Sequence, residues 1–390
     1  MDKVKKKRII VYISTIILSL IYLLVAYKVA VGDGVFGDQY DTVNVRAKVL
    51  RITGQEEIYD SDDGTQVTMK YIYFEAKATS GEVRGKTLYA VQEMDMLYGL
   101  PQPDVEAGDK VNLVYEPNRE GTADYYLSDF MRITPLVILC AFFFLLVLIF
   151  GRKKGLDTII SLVFTCMAVF VNLIPAILNG RNIYLWSIMT CVYITAMTLM
   201  LIEGMSIKSL AAGVGCVGGV LVAGALELLL RGSIKMTGVL DSEWLYLYNL
   251  HPEDPIDLKA VIFAMIIVGA LGAVMDVAMS IASSLCEINE KSPDLPAREL
   301  LKSGFSIGRD IMGTMANTLV LAYIGSSLCC MLLMVIYSNN VGQIINREQI
   351  AVEILQALSG SIGILAALPL TAVTTVLCLK PVNRIKRNVH

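Results

Sequence analysis

Histidine is almost absent from this 390-residue chain, which holds His251 and His390 only. No CxxC pair occurs among its eight cysteines. Zinc centres and histidine acid–base chemistry both ask for more than that. HExxH, P-loop and GxGD patterns are missing, and no serine motif is followed by a usable histidine. These absences argue against an enzyme, a bound metal and a cofactor. Charge is also scarce: Asp, Glu, Lys and Arg make up 18% of the residues, against about 25% in soluble domains. The segment 32–132 contains no cysteine, which excludes a disulfide framework there.

What is abundant is apolar. Hydrophobic residues form 55% of the chain and its mean hydropathy is +0.59. Eight apolar runs lie near 9–31, 133–150, 156–179, 183–202, 207–230, 258–285, 315–338 and 350–379. About 20 such residues cross a bilayer as a helix, so lipid is the first expected partner. With the N-terminus inside, cytoplasmic segments carry 17 Lys and Arg, and the short loops of the other side carry 5. That asymmetry predicts eight spans with both termini in the cytoplasm. The start "KVKKKRI" fits a signal peptide, but the run after it exceeds the roughly 7–15 apolar residues of one. An uncleaved anchor is expected. The chain divides into 1–31, a basic N-terminus and first span; 32–132, an extracytoplasmic domain; and 133–390, seven further spans.

Residues 32–132 alternate with period two. Val43, Val45, Ala47 and Val49 share one face, and Asn44, Arg46 and Lys48 the other. "MKYIYFEAKAT", "VRGKTLYAVQ", "KVNLVYE" and "DYYLSDF" are equally strand-like. Five short strands predict a small β-barrel, OB-like in type. "DSDDG" at Asp60–Gly64 resembles a calcium loop, but Thr65 and Tyr71 stand where an EF-hand needs glycine and glutamate. A hairpin turn is the reading. The domain has 19 acidic and 10 basic residues, a balance that excludes nucleic acid as a partner. The loop 231–257 carries Trp244, Tyr246 and Tyr248, an aromatic belt or a lid over a site.

Inside the sixth run stands Asp276, well within bilayer depth and roughly 7 Å from the midpoint of 258–285. Gly269, Gly272, Asp276, Ser280, Ser283 and Glu287 share one helical face, with Ile266, Val274 and Ile281 elsewhere. A buried charge is costly and usually functional. Small residues around it invite another helix, and the fifth run, rich in glycine and with GxxxG at Gly215–Gly219, is the expected partner. Val274 is expected to face lipid. "SPDLPARELLKSG" reads as a short helix closed by Gly304, and "IGRDIMG" leads into the seventh run with Arg309, Asp310, Gly313 and Asn317. Arg309, Asp310 and Asn317 then fall near Asp276 and Ser280, where an arginine keeps an acid ionised. Gly360, Gly363 and Pro369 predict a broken last span. A two-aspartate intramembrane protease would need Asp276 and Asp310 opposed across water.

"GALGAVMDVAMSIASSLCE" followed by "SGFSIGRDIMGTMANTLVLAYIGSSL" resembles the YibE/F-like family of bacterial multi-pass membrane proteins. The resemblance implies a bacterial plasma-membrane protein and points to Gly269, Gly272, Asp276, Glu287, Gly304, Gly308, Arg309, Asp310, Gly313, Asn317 and Gly325; it implies no particular chemistry. The leading expectation is a secondary transporter or permease for a small solute or ion. Its site would comprise Asp276, Ser280, Arg309, Asp310 and Asn317, with Gly215, Gly219, Gly269, Gly272 and Gly313 packing helices or lining a pathway. The alternative is an envelope or export accessory whose outer β domain binds a protein partner.

Overall fold

The alternating stretch that begins at Val43 becomes a strand of 17 residues, β1 (Val43–Tyr59). Val45, Ala47 and Val49 are each 1% exposed, whereas Arg46 and Lys48 face solvent. A computed structural model describes residues 2–31, 43–59, 67–96, 102–116, 123–250, 255–337 and 340–387. It separates into two compact units, residues 36–146 and residues 1–35 with 147–390.

In the first unit β1 is followed by β2 (Val67–Ala78), β3 (Thr87–Asp95), β4 (Lys110–Tyr115) and β5 (Tyr125–Phe130). The strands close as β1-β2-β3-β5-β4, with the β3–β5 pair parallel and the others antiparallel. This is the expected five-stranded, OB-like barrel. Register shifts after Val49, Ile52 and Ile58 let β1 bend from its pairing with β4 to its pairing with β2. Phe74, Ala76, Val111 and Leu113 fill the interior, each 1% exposed or less. Gln92 is fully buried with them: its Nε2 donates to the Pro103 carbonyl (2.9 Å) and its Oε1 accepts from the Val105 amide (2.9 Å). One side chain thus pins the β3–β4 connection. The "DSDDG" turn lies outside the described residues.

Among the described residues, six helices are long and apolar enough to cross a membrane, or seven when one bent pair counts as a span. They are α1 (Asp2–Val31), α2 (Ile133–Met167) continuing through a π-helical turn into α3 (Ile174–Leu178), α4 (Ile183–Ile202), α5 (Ile207–Leu230), α7 (Leu258–Lys291) and α11 (Glu348–Arg387). The bent pair is α8 (Ala297–Ser326) with α9 (Leu328–Tyr337), at 60°. Short helices α6 (Ser242–Asn249) and α10 (Val341–Ile345) lie in connections. The run Ile133–Leu178 has 46 residues, far more than the ~20 that one crossing needs. Arg152 interrupts it with φ 48° and ψ −121°. A Cβ on Gly155 would collide with the Val147 carbonyl, although residues eight apart in an unbroken helix are about 12 Å apart. The chain therefore doubles back at Arg152, between the second and third apolar runs of the sequence.

Two expectations for the later helices are corrected. Gly304 does not close a short helix; α8 runs through it to Ser326, and the break falls at Ser327. Gly304 is instead a packing position, where a Cβ would stand 2.9 Å from Leu285. Nor is the last span broken: α11 continues through Gly360, Gly363 and Pro369. Its glycines admit neighbours. A Cβ on Gly363 would lie 2.9 Å from the Gly219 carbonyl, and one on Gly219 would lie 2.6 Å from the Gly363 carbonyl and 2.8 Å from Val274. Thr371 likewise occupies the space beside Gly215. Among small-residue membrane interfaces, backbones approach this closely because lipid provides no hydrophobic drive for helix association.

Gln92→Leu leaves the buried Val105 amide unpaired and removes the donor to the Pro103 carbonyl, which should cost the barrel about 1–3 kcal/mol; hydrogen exchange at Val105 in the full-length protein should accelerate. Gly219→Ala overpacks the α5–α11 contact, a change that typically costs about 1–3 kcal/mol. It should lower the thermal midpoint in detergent, whereas Gly272→Ala, which meets open space, should not. Arg51 and Glu75 form a two-pronged pair across β1 and β2 (2.7 and 2.9 Å), which holds the Glu75 carboxyl below its ordinary value of 4.5. A lowered folded value means the pair's contribution is present above pH 4.5 and lost as the pH falls through that lower value. Glu75→Gln should flatten the acid limb of the barrel's unfolding profile.

Candidate functional site

The helix that carries Asp276 starts where Asp257 caps it, Oδ1 accepting from the Lys259 and Ala260 amides (3.1 and 3.2 Å). α7 then runs for 34 residues. Its extension to Lys291 moves its midpoint, so Asp276 lies about 2 Å from the middle rather than the larger offset read from the shorter apolar run. One side of α7 is sealed: Val274, Val277, Ala278 and Ile281 are all 0% exposed. Gly269, Gly272, Asp276, Ser280 and Glu287 are exposed along the other side. The small, polar face is thus not where the fifth span packs. Gly219 of α5 meets Val274 instead, so Val274 faces protein and not lipid. Gly269 makes room for the Tyr323 hydroxyl, 2.5 Å from where a Cβ would stand.

α8 lies against α7 in a register set by two contacts, Gly304 with Leu285 and Gly308 with Ile281. The contacts step in opposite senses, so the helices are antiparallel. Extending that register puts Gly313 level with Asp276, Asn317 level with Gly272 and Arg309 level with Ser280. Arg309, Asp310, Gly313 and Asn317 are all exposed. No hydrogen bond or ion pair among the described residues joins Asp276, Ser280, Arg309, Asp310 and Asn317 to one another. The structure sets these residues at matching heights but does not make Arg309 the partner of Asp276, nor bring Asp310 to it. A Cβ at Gly272 or Gly313 would meet nothing within 4 Å. Among the described residues no three His, Cys, Asp or Glu side chains gather as a metal set.

A second site was visible in the sequence only as the prospect of a lid. At the end of the bundle where α5 finishes and α7 begins, a cavity of about 800 Å³ opens. Tyr184, Arg231, Lys235, Thr237, Tyr248, Asp257 and Lys259 contribute to its wall. Glu348, at the start of α11, fixes the rim by accepting from the amides of Thr237 and Gly238 (2.6 and 2.7 Å) and from the Thr237 hydroxyl (2.8 Å). Arg231 Nη1 donates to the Tyr184 hydroxyl at 2.6 Å. One turn below Arg231, Glu227 is fully buried and neither carboxylate oxygen has a hydrogen-bond partner. α6 carries the aromatic loop residues: Trp244 packs among apolar side chains, Tyr248 reaches the cavity and Tyr246 stays exposed. In the sequence Arg231, Lys235 and Lys259 are three of the five Lys and Arg of the short outer loops; the fold brings them to one cavity with Tyr184 and Asp257.

Comparison with known proteins adds one finding. A family model described as YibE/F-like protein matches residues 139–381, which takes in the reversal at Arg152, Asp276, the α8 residues and the cavity. No curated protein matches the chain, and no solved structure does. With well over half of its length matched and several helices able to cross a membrane, this multi-pass membrane protein belongs to the YibE/F-like family.

Proposed function

We propose that the chain is a secondary permease for a small solute or ion, in which Asp276 carries a proton or cation. One observation supports this most. Asp276 sits at the centre of a membrane helix, exposed, with no hydrogen bond or ion pair among the described residues. A carboxylate at that depth is not stable against hydrocarbon. A structural acid would be sealed by a donor, and none is provided. Water, a proton or a cation would supply what the protein does not. The open space beside Gly272 and Gly313 leaves room for it. In this reading the protein sits in a bacterial plasma membrane with both termini cytoplasmic and the barrel outside. Asn317 and Ser280 line the approach, and Arg309 and Asp310 lie toward the cytoplasmic end. Loss and return of the Asp276 charge couples to opening on either side.

The test begins with solvent access. Single cysteines at 272, 276 and 280 in a cysteine-free version should react with a membrane-impermeant thiol reagent, while position 274, sealed against Gly219, should stay silent. In proteoliposomes under an imposed potential, proton entry reported by an internal pH dye should exceed that of empty vesicles. Asp276→Asn should bring it to background, with Glu287→Gln unchanged. Silence at 272, 276 and 280 from both sides would sink the permease reading and leave the accessory role of the β domain.

A further inference from the structure

We propose that the cavity between the end of α5 and the start of α7 is a binding site for a small oxyanion, held by Arg231, Lys235 and Lys259. The inference does not depend on Asp276 or on transport. Three cationic side chains converge on one cavity wall. The Arg231 guanidinium has five N–H donors, and the Tyr184 hydroxyl is its one hydrogen-bond acceptor among the described residues. Lys235 and Lys259 make no side-chain hydrogen bond or ion pair among the described residues.

The carboxylate in that wall is already committed. Asp257 Oδ1 accepts from two backbone amides, and its Oδ2 accepts from Tyr184 at 3.4 Å. Glu227 is sealed beneath, 0% exposed, and forms no part of the wall. Asp257 and the buried Glu227 offset part of the charge at Arg231, so of the three cations in the wall Lys235 and Lys259 have no ion-pair partner among the described residues, and an anion between them would relieve their repulsion. The recess is built rather than incidental. Lys235 is held in the left-handed region at φ 54°, Gly238 follows at φ 94°, and Glu348 clamps the backbone at Thr237 and Gly238. The α7 N-terminus adds its positive end to the same space. At about 800 Å³ the cavity falls in the range of small-ligand sites. Two sources share this chemistry, a free phosphate or carboxylate and the phosphate of an anionic lipid headgroup.

The experiment uses the full-length protein in neutral detergent and in phosphatidylcholine nanodiscs. Inorganic phosphate is titrated by calorimetry, with Trp244 fluorescence as a second readout. Saturable binding is expected, weakened at least tenfold by Arg231→Gln and by Lys259→Gln. Arg231→Lys, which keeps the charge, should bind within a few-fold of the native protein and so separates loss of the site from loss of the fold. Lys302→Gln, outside the cavity, is the control and should change nothing. In a second arm, nanodiscs with phosphatidylglycerol replace those without it. A rise in thermal midpoint that requires Arg231 and Lys259, with no response to free phosphate, assigns the oxyanion to a headgroup. The proposal is overturned if neither phosphate nor phosphatidylglycerol gives a response that depends on Arg231 and Lys259.

Discussion

Gly219 of α5 and Gly363 of α11 meet backbone to backbone, and the membrane unit is organised round that contact. Helices in lipid gain nothing by hiding oil from water, so they associate where backbones can come close and dispersion contacts multiply. Any side chain at either position would force the helices apart. α7 completes the group by placing Val274 against Gly219. From this follows the burial of Ile267, Val274, Val277, Ala278 and Ile281, a sealed stripe along the length of α7.

Sealing one side of α7 determines the character of the other. A helix with its apolar residues turned inward presents what remains, and here that is Gly269, Gly272, Asp276 and Ser280. The fold places a carboxylate near the middle of a helix long enough to cross a membrane without supplying a donor. Elsewhere in the same unit the opposite imbalance occurs: Arg231, Lys235 and Lys259 face a recess whose acid, Asp257, is occupied in capping α7. A charged group at the depth of a membrane helix is costly unless something pairs with it. Both imbalances belong to α7, one at its centre and one at its start.

Much of the fold was legible because the signals are local. Period-two alternation marked β1, and Val45, Ala47 and Val49 do face the barrel interior. Run length marked the spans, and even the basic stretch at 152–154 sits where the chain reverses. Glycine was the weak point. Gly304 ends a helix or admits a neighbour with the same letter, and only Leu285 beside it decides. Pro369 removes one amide from α11, which a long packed helix tolerates. The α7 face was misread for a related reason. Small residues mark close packing at Gly219, where α11 approaches, and open space at Gly272, where nothing does.

Chain composition and periodicity by themselves determined a multi-pass helical protein, an OB-like barrel between the first and second apolar runs, and an aspartate at bilayer depth. These are properties of one segment at a time, set by hydrophobicity against a fixed membrane thickness and by the twofold repeat of a strand. Tertiary structure decided which side of α7 is covered, that Arg309 does not pair with Asp276, and that Arg231, Lys235 and Lys259 share a cavity with Tyr184. Those outcomes depend on which helices touch. In a membrane, contact is set by shape at a few glycines on separate helices, and no single stretch of sequence carries that information.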